Sequence, residues 1–302
     1  MASTATSNAP SEIFYSNHGV SLCLIPNRRN RLMRVVDFRS GANPSKSELV
    51  ARLARQEGIE RVFTLVERDE VSTWSRLGFQ REGTIPGFYK RSDAWVLGVS
   101  VDRLSPSSSD ESGMRRAISL AQGDPPEPVD SEKVYQSARK AVKQVEDSRP
   151  AARLHPARDT DVKKALASAG RGKRALTGFE NFGRDVERFF FSCTARGGFS
   201  LMMGVETQPC FDNAFIELLT SPRTEKEAAL TRVAIGLLCD ELFEREVVCC
   251  FAVSPTDDED LAVAYLANGF RRTGLLQSHY ARGDHRVDAF LWARKLALPS
   301  DG

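Results

Sequence analysis

Two stretches of this chain repeat each other, and that repeat limits the folds open to it more than any other feature. LGFQREGTIPGFYKRSDAWVLG, from Leu77, lies over NGFRRTGLLQSHYARGDHRVDAFLWA, from Asn268. Gly78-Phe79 matches Gly269-Phe270, Arg81 matches Arg272 and Gly83 matches Gly274. Tyr89-Lys90-Arg91 falls on Tyr280-Ala281-Arg282, and after a short insertion Asp93-Ala94-Trp95 meets Asp288-Ala289-Phe290. Physically, a helix ends at a glycine able to take positive φ, and an aromatic enters the core as a strand begins. The second glycine permits a bend or bulge, and a hairpin returns the chain as a last strand. Residues 62–97 and 247–292 are therefore read as two copies of one unit, each with a strand and a helix before the Gly-Phe stop. Such units are expected to pack against each other in one chain, or across a dimer, as one continuous sheet.

The rest of the chain divides around these copies. Residues 1–11 read as a disordered tail and 12–103 as an N-terminal domain. Its segments FYSNHGVSLCLIP and RLMRVVDF are strand-like. The helix in SKSELVARLARQ is expected to be capped by Ser47. Residues 104–150 read as a linker dense in Ser, Pro, Asp and Glu, with a possible helix over Met114–Ala121 and a charged, loosely helical EKVYQSARKAVKQVEDS. Residues 151–298 form a C-terminal domain: a strand and helix in ARLHPARDTDVKKALASAG, two strands about a Gly-Gly turn in ERFFFSCTARGGFSLMMGVE, and a strand in NAFIELLTS. A long helix follows, with a stripe at Leu230, Val233, Ala234, Leu237, Leu238 and Leu242. VVCCFAVS is a buried strand and LAVAYLANG a short helix, before the two terminal strands. The alternation predicts an α/β, mixed α+β, architecture.

Charge narrows the possible functions. Forty-two basic and 40 acidic side chains nearly cancel in 302 residues, which disfavours a nucleic-acid binder. Six cysteines lack CxxC spacing and four histidines lack HxH or HxxxH partners, so a metal centre is not expected and the thiols read as buried and reduced. Cys249 and Cys250 should point to opposite faces of their strand. MASTATSNAPSE does not have the pattern of a secretory signal, and no apolar run approaches the roughly 18–20 residues of a membrane span. The expected location is the cytoplasm.

The order strand, helix, strand, helix, Gly-Phe, strand, strand resembles the second half of the GNAT acyl-CoA N-acyltransferase fold. The likeness is fullest over 151–297, where ARLHPARDTDVKKAL, FIELLTSPR and AYLANGF are similar to that family's opening, central and Tyr-x-x-x-Gly-Phe elements. The two-part layout resembles the β-lysine N-acetyltransferases, which carry a shorter N-terminal half-domain similar to NRLMRVVDF and the repeat from Leu77. This resemblance implies a tandem fold, a partial copy followed by a fuller one. It also implies transfer of an acetyl group from acetyl-CoA to a small amine such as a diamino acid.

By the same resemblance Glu217 stands where a carboxylate base is found, and Tyr265 where a tyrosine protonates the departing sulfur. Bland readings stand beside these: a solvated strand glutamate and a helix aromatic packed on the sheet. The first copy has Trp74 at the tyrosine position, so it is not expected to be catalytic. The acyl-CoA contacts implied are Leu219, Thr220, Arg223, Lys226, Ala228 and Ala229. That turn departs from the family pattern: Glu225-Lys226-Glu227-Ala228-Ala229-Leu230 has neither glycine, and two carboxylates lie where pyrophosphate would bind, a like-charge contact costing about 1 kcal/mol or more even when hydrated. Glutamates in a first helical turn also suit the helix dipole. The alternative is therefore a catalytically inactive scaffold or regulator with a protein partner.

Overall fold

The computed structural model describes residues 12–17, 19–39, 41, 43–104, 129–145, 150–283 and 285–297. The expected tail, the possible helix over Met114–Ala121 and most of the linker lie outside them. In chain order the elements are β1 Ile13–Ser16, β2 Ser21–Asn27, β3 Leu32–Asp37, α1 Pro44–Gln56 and β4 Arg61–Val66. A 3-10 turn, Arg68–Glu70, leads into α2 Val71–Arg76, followed by β5 Gln80–Ile85, β6 Ala94–Ser100 and α3 Val101–Leu104. Then come α4 Ser131–Val142, β7 Ala152–Pro156, α5 Asp159–Arg171, β8 Glu187–Ala195, β9 Phe199–Gln208 and β10 Asn213–Leu218. The chain closes with α6 Glu225–Glu244, β11 Cys249–Pro255, α7 Glu259–Ala267, β12 Arg271–Arg282 and β13 His285–Lys295.

All thirteen described strands join one mixed sheet, ordered β1-β2-β3-β4-β6-β5-β12-β13-β11-β10-β9-β8-β7. The order reverses about its middle: β1-β2-β3-β4-β6-β5 runs inward from one side, and β8-β9-β10-β11-β13-β12 from the other. Strand senses match as well, since β3–β4 and β10–β11 are parallel and the remaining pairs are antiparallel. Parallel neighbours need a crossover, which α1 and α6 supply.

The repeat positions make matching contacts. Phe79 N–H donates to the Trp74 carbonyl and Phe270 N–H to that of Tyr265, at 3.2 and 3.1 Å. Tyr89 hydroxyl donates to Leu65 carbonyl at 3.3 Å, and Tyr280 hydroxyl to Val253 carbonyl at 3.2 Å. Asp93 accepts from Gly87 N–H and Asp288 from Ser278 N–H. Gly78 and Gly269 have φ of 95° and 76°, where a side chain would be strained.

The seam between the halves explains the second repeat glycine. β5 and β12 meet at Gly83↔Gly274, and each glycine also sits at a register shift against its own hairpin partner. A Cβ on Gly274 would lie 2.6 Å from the Glu82 carbonyl oxygen and 2.7 Å from Gly83 Cα. The glycines thus serve close backbone approach as well as the expected bulge.

The core has four clusters: one, of Val162, Ala169, Phe179, Met202 and Leu219, lies beside α5, and strand alternation separates the other three. One face of the N-terminal half packs Leu22, Leu24, Met33, Val62 and Val66 under α1 to α3. The same face of the C-terminal half packs Ile216, Cys250, Ala252 and Trp292 under α4, α6 and α7. On the opposite face Leu32, Phe63, Phe88, Phe215, Cys249 and Phe251 meet in one core shared by both halves. Cys249 and Cys250 accordingly face opposite ways. Five of the cysteines are buried; Cys210 is exposed, contrary to expectation.

Two local readings change. Asn43, not Ser47, caps α1: its Oδ1 accepts from Ser45 N–H, Pro44 opens the helix, and Ser47 hydroxyl donates to the Pro44 carbonyl. The charged EKVYQSARKAV segment forms α4, with Ala138 fully buried. Tyr135 lies 6.0 and 6.2 Å from the Phe290 and Trp292 rings, and Arg272 stacks on it at 3.8 Å while pairing with Glu132.

Candidate functional site

The parallel strands β10 and β11 stay in register from Asn213↔Cys249 to Ile216↔Ala252, then run on unpaired with each other to Leu218 and Pro255. β3 and β4 do the same beyond Val35↔Thr64. Where two parallel strands part, the sheet has an opening lined by backbone groups released from their ladder.

Glu217 is the first residue past the last registered pair. It alternates with Phe215, so it faces the core shared by the halves. Thr177 hydroxyl donates to its Oε1 at 2.7 Å. Burial raises its carboxyl from 4.5 to about 7; Thr177 and Arg188 oppose the rise and Glu180 adds to it. A carboxylate titrating there can take a proton near neutrality.

Tyr265 belongs to the core on the other face of the sheet, beside Ala252 and Trp292. It is buried on α7, stacked on Trp292 at 5.6 Å and edge-on to Phe270 at 5.2 Å. Burial holds its hydroxyl well above 10, helped by Tyr280, Cys239, Cys250 and Glu217, so it remains protonated.

Between the halves Glu217 borders a cleft of about 40 Å³, room for roughly three waters. Asn30, Arg34 and Phe63 come from the N-terminal half, and Thr177, Phe182 and His279 from the C-terminal half. Phe182 stacks on Phe215 at 4.3 Å, and its N–H is held by Glu206. Burial, with Arg61 and Arg286, pushes His279 down to about 3, so it is neutral at pH 7.

The six residues expected to hold acyl-CoA do gather around one turn, between β10 and α6. Leu219 N–H donates to Met202 carbonyl, and its own carbonyl accepts from Leu176 N–H. Thr220 bridges to Ala175. Arg223 and Lys226 are exposed, Ala228 is buried and Ala229 half-buried. Thr224 caps α6, accepting from Glu227 N–H at 3.1 Å. Glu227 folds back over the turn, where its Oε2 accepts from Arg223 N–H at 2.8 Å and from Arg174 at 3.0 Å. A carboxylate of the chain itself therefore occupies donors that an incoming anion could use.

No family model and no curated relative matches the chain. The structural neighbours are GNAT-fold N-acetyltransferases that cover about half of it. A putative acetyltransferase from Sphaerobacter thermophilus is 16% identical, covering 49% of this chain and 96% of its own, with a TM-score of 0.39. The ribosomal-protein-S18-alanine N-acetyltransferase from Escherichia coli is 18% identical, covering 50% and 98%, at 0.39. A spermidine N-acetyltransferase from Vibrio cholerae, in complex with CoA and spermine, is 12% identical, covering 49% and 96%, at 0.40. At these values the likenesses carry no argument about reaction or substrate, which rests on the geometry above.

Sequence reasoning missed Arg34, Thr177, His279 and the role of Glu227. An arginine inside the apolar run LMRVV and the Thr224-x-x-Glu227 capping spacing were signals that pointed to two of them. Thr177 and His279 carried none, because their partners lie far away in sequence.

Proposed function

We propose that the C-terminal half transfers an acetyl group from acetyl-CoA to a small amine, such as a diamino acid. The observation that carries this is the opening between β10 and β11, with a carboxyl near pKa 7 at its edge and a protonated tyrosine on α7, the helix that follows β11. The amine nitrogen attacks the thioester carbonyl and forms the new C–N bond. Glu217 takes the ammonium proton, directly or through a water in the cleft. As the C–S bond breaks, Tyr265 gives its proton to the sulfur, and the two protons re-equilibrate through solvent. Leu219 to Ala229 would line the acyl-CoA path.

The N-terminal half reads as a second, partial copy without this chemistry. Val36 occupies the register position of Glu217, and Trp74 that of Tyr265. The buried, reduced thiols suit a reducing compartment such as the cytoplasm.

Calorimetric titration with acetyl-CoA is the direct test, joined to turnover of Glu217→Gln and Tyr265→Phe. Each variant is expected to lose roughly 10²-fold or more in kcat while keeping acetyl-CoA affinity. Absence of binding at millimolar acetyl-CoA sinks the reading.

A second reading has its own support in Glu227, which closes the turn, and in the engaged backbone of Leu219. On it the fold is an inactive scaffold for a protein partner. Acetyl transfer to any amine rejects it.

A further inference from the structure

We propose that Arg34 and the cleft beside it form a carboxylate-binding site shared by the two halves. Arg34 stands in β3 between Met33 and Val35, which are fully buried on the other face. Its own side chain points into the shared core and is only 7% exposed. Nη1 donates to the Phe182 carbonyl at 2.9 Å, and the guanidinium lies 5.0 Å from the Phe182 ring. Its Nε is buried and donates to nothing.

The contrast with other buried cations is sharp. Lys46 pairs with Asp37, Arg61 with Glu82 and Arg188 with Glu206; the described ion pairs give Arg34 no carboxylate. Burial brings its guanidinium down to about 10, which leaves it charged at pH 7. A buried cation without a counter-ion is costly, and a bound anion offsets that cost.

Size and shape choose the anion. About 40 Å³ suits a planar two-oxygen group, and a guanidinium edge matches a carboxylate with two parallel donors. The acidic residues on the cleft have donors of their own: Glu217 from Thr177 hydroxyl at 2.7 Å, and Glu180 from Gly178 N–H at 2.9 Å. Half-buried Asn27, Leu176 and Asn181 form the rim, so a ligand longer than a carboxylate can extend outward past Glu217. This site rests on the proposed acyl transfer only for what the amine end of such a ligand would do.

The test uses the full chain and no acetyl-CoA, so its failure is separate from failure of the proposed function. Sodium acetate and the series glycine, β-alanine and 4-aminobutyrate are titrated at constant ionic strength, reading calorimetry and the Arg34 Nε–H signal in 1H–15N spectra. The signal should shift saturably at millimolar carboxylate. Arg34→Lys should weaken binding at least about tenfold, and Arg34→Gln should abolish it. Tighter binding of one amino acid than of acetate assigns the carboxylate to an amine acceptor; equal binding assigns the site to carboxylates as such, and both support it. An unmoved Nε–H signal, an equal response to sodium sulfate, or unchanged affinity in a folded Arg34→Gln protein overturns the proposal. If Arg34→Gln does not fold, the wild-type spectra decide.

Discussion

The same position in the two halves closes the turn between strand and helix, but with opposite charge. Lys46 and Glu227 are both third residues of the crossover helices, after the caps Asn43 and Thr224. Lys46 folds back onto the Arg39 and Gly41 carbonyls and the Asp37 carboxylate. Glu227 folds back onto Arg223 N–H and Arg174. The lysine is 1% exposed and the glutamate 32%. One turn is thus sealed as part of a core, and the other is covered by a side chain that water can reach. The difference is between a buried plug and a half-buried one.

Four substitutions probe that contrast. Lys46→Ala strands Asp37 in a buried site, and a loss of about 3–5 kcal/mol in urea unfolding is expected. A loss below about 1 kcal/mol would show the N-terminal turn to be as open as the other. Gly274→Ala drives a methyl into the backbone of Glu82 and Gly83 at the seam, with an expected cost of about 1–3 kcal/mol and a Tm lower by several degrees. If Gly274→Ala leaves Tm unchanged, the close approach of the halves is not needed for stability.

The titrating residues set the halves apart as well. Val36 and Phe88 hold the register positions of Glu217 and His279. His279, at about 3 when folded against 6.5 ordinarily, lets the unfolded chain take up a proton first, so stability falls as pH drops from 6.5 towards 3. Glu217, at about 7 against 4.5, contributes stability below pH 4.5 that is lost as pH rises towards 7. Between pH 4.5 and 6.5 the two slopes oppose each other, so Glu217→Gln should uncover the full rise of stability with pH due to His279 there and remove the loss between 6.5 and 7; an unchanged profile would show that the carboxyl is not held up by burial. Glu227→Ala is expected to have the smallest effect, below about 1 kcal/mol. By calorimetry it should tighten acetyl-CoA binding if the turn is a covered cofactor site. No binding in either protein favours the scaffold reading.

Much of the fold was legible because Gly78, Gly83, Trp74 and their counterparts keep local spacing, and local spacing is what sequence displays. The partners of Glu227 show the limit. Two glutamates near an expected anion site read as repulsion there or as ordinary helix-dipole partners, but the second also takes donors from Arg223 and from Arg174, brought in from the loop after α5. α4 shows a similar limit: its charged sequence hides a face on which Val134, Tyr135, Ala138, Ala141 and Val142 pack against the core. The cleft at Arg34 needs strands from both halves, so no single stretch reveals it.

The meeting of Gly83 with Gly274 has a consequence for how such a molecule can change. On the two-copy reading it stands where a two-fold axis would pass through a homodimer. In a homodimer every substitution appears on both sides of the axis, and a residue must suit its own image. Within one chain that constraint is lifted. Arg34 and Phe215 occupy equivalent register positions and line one cleft, a cation in one half where the other has an aromatic ring, which a strictly symmetric pair of subunits could not have built.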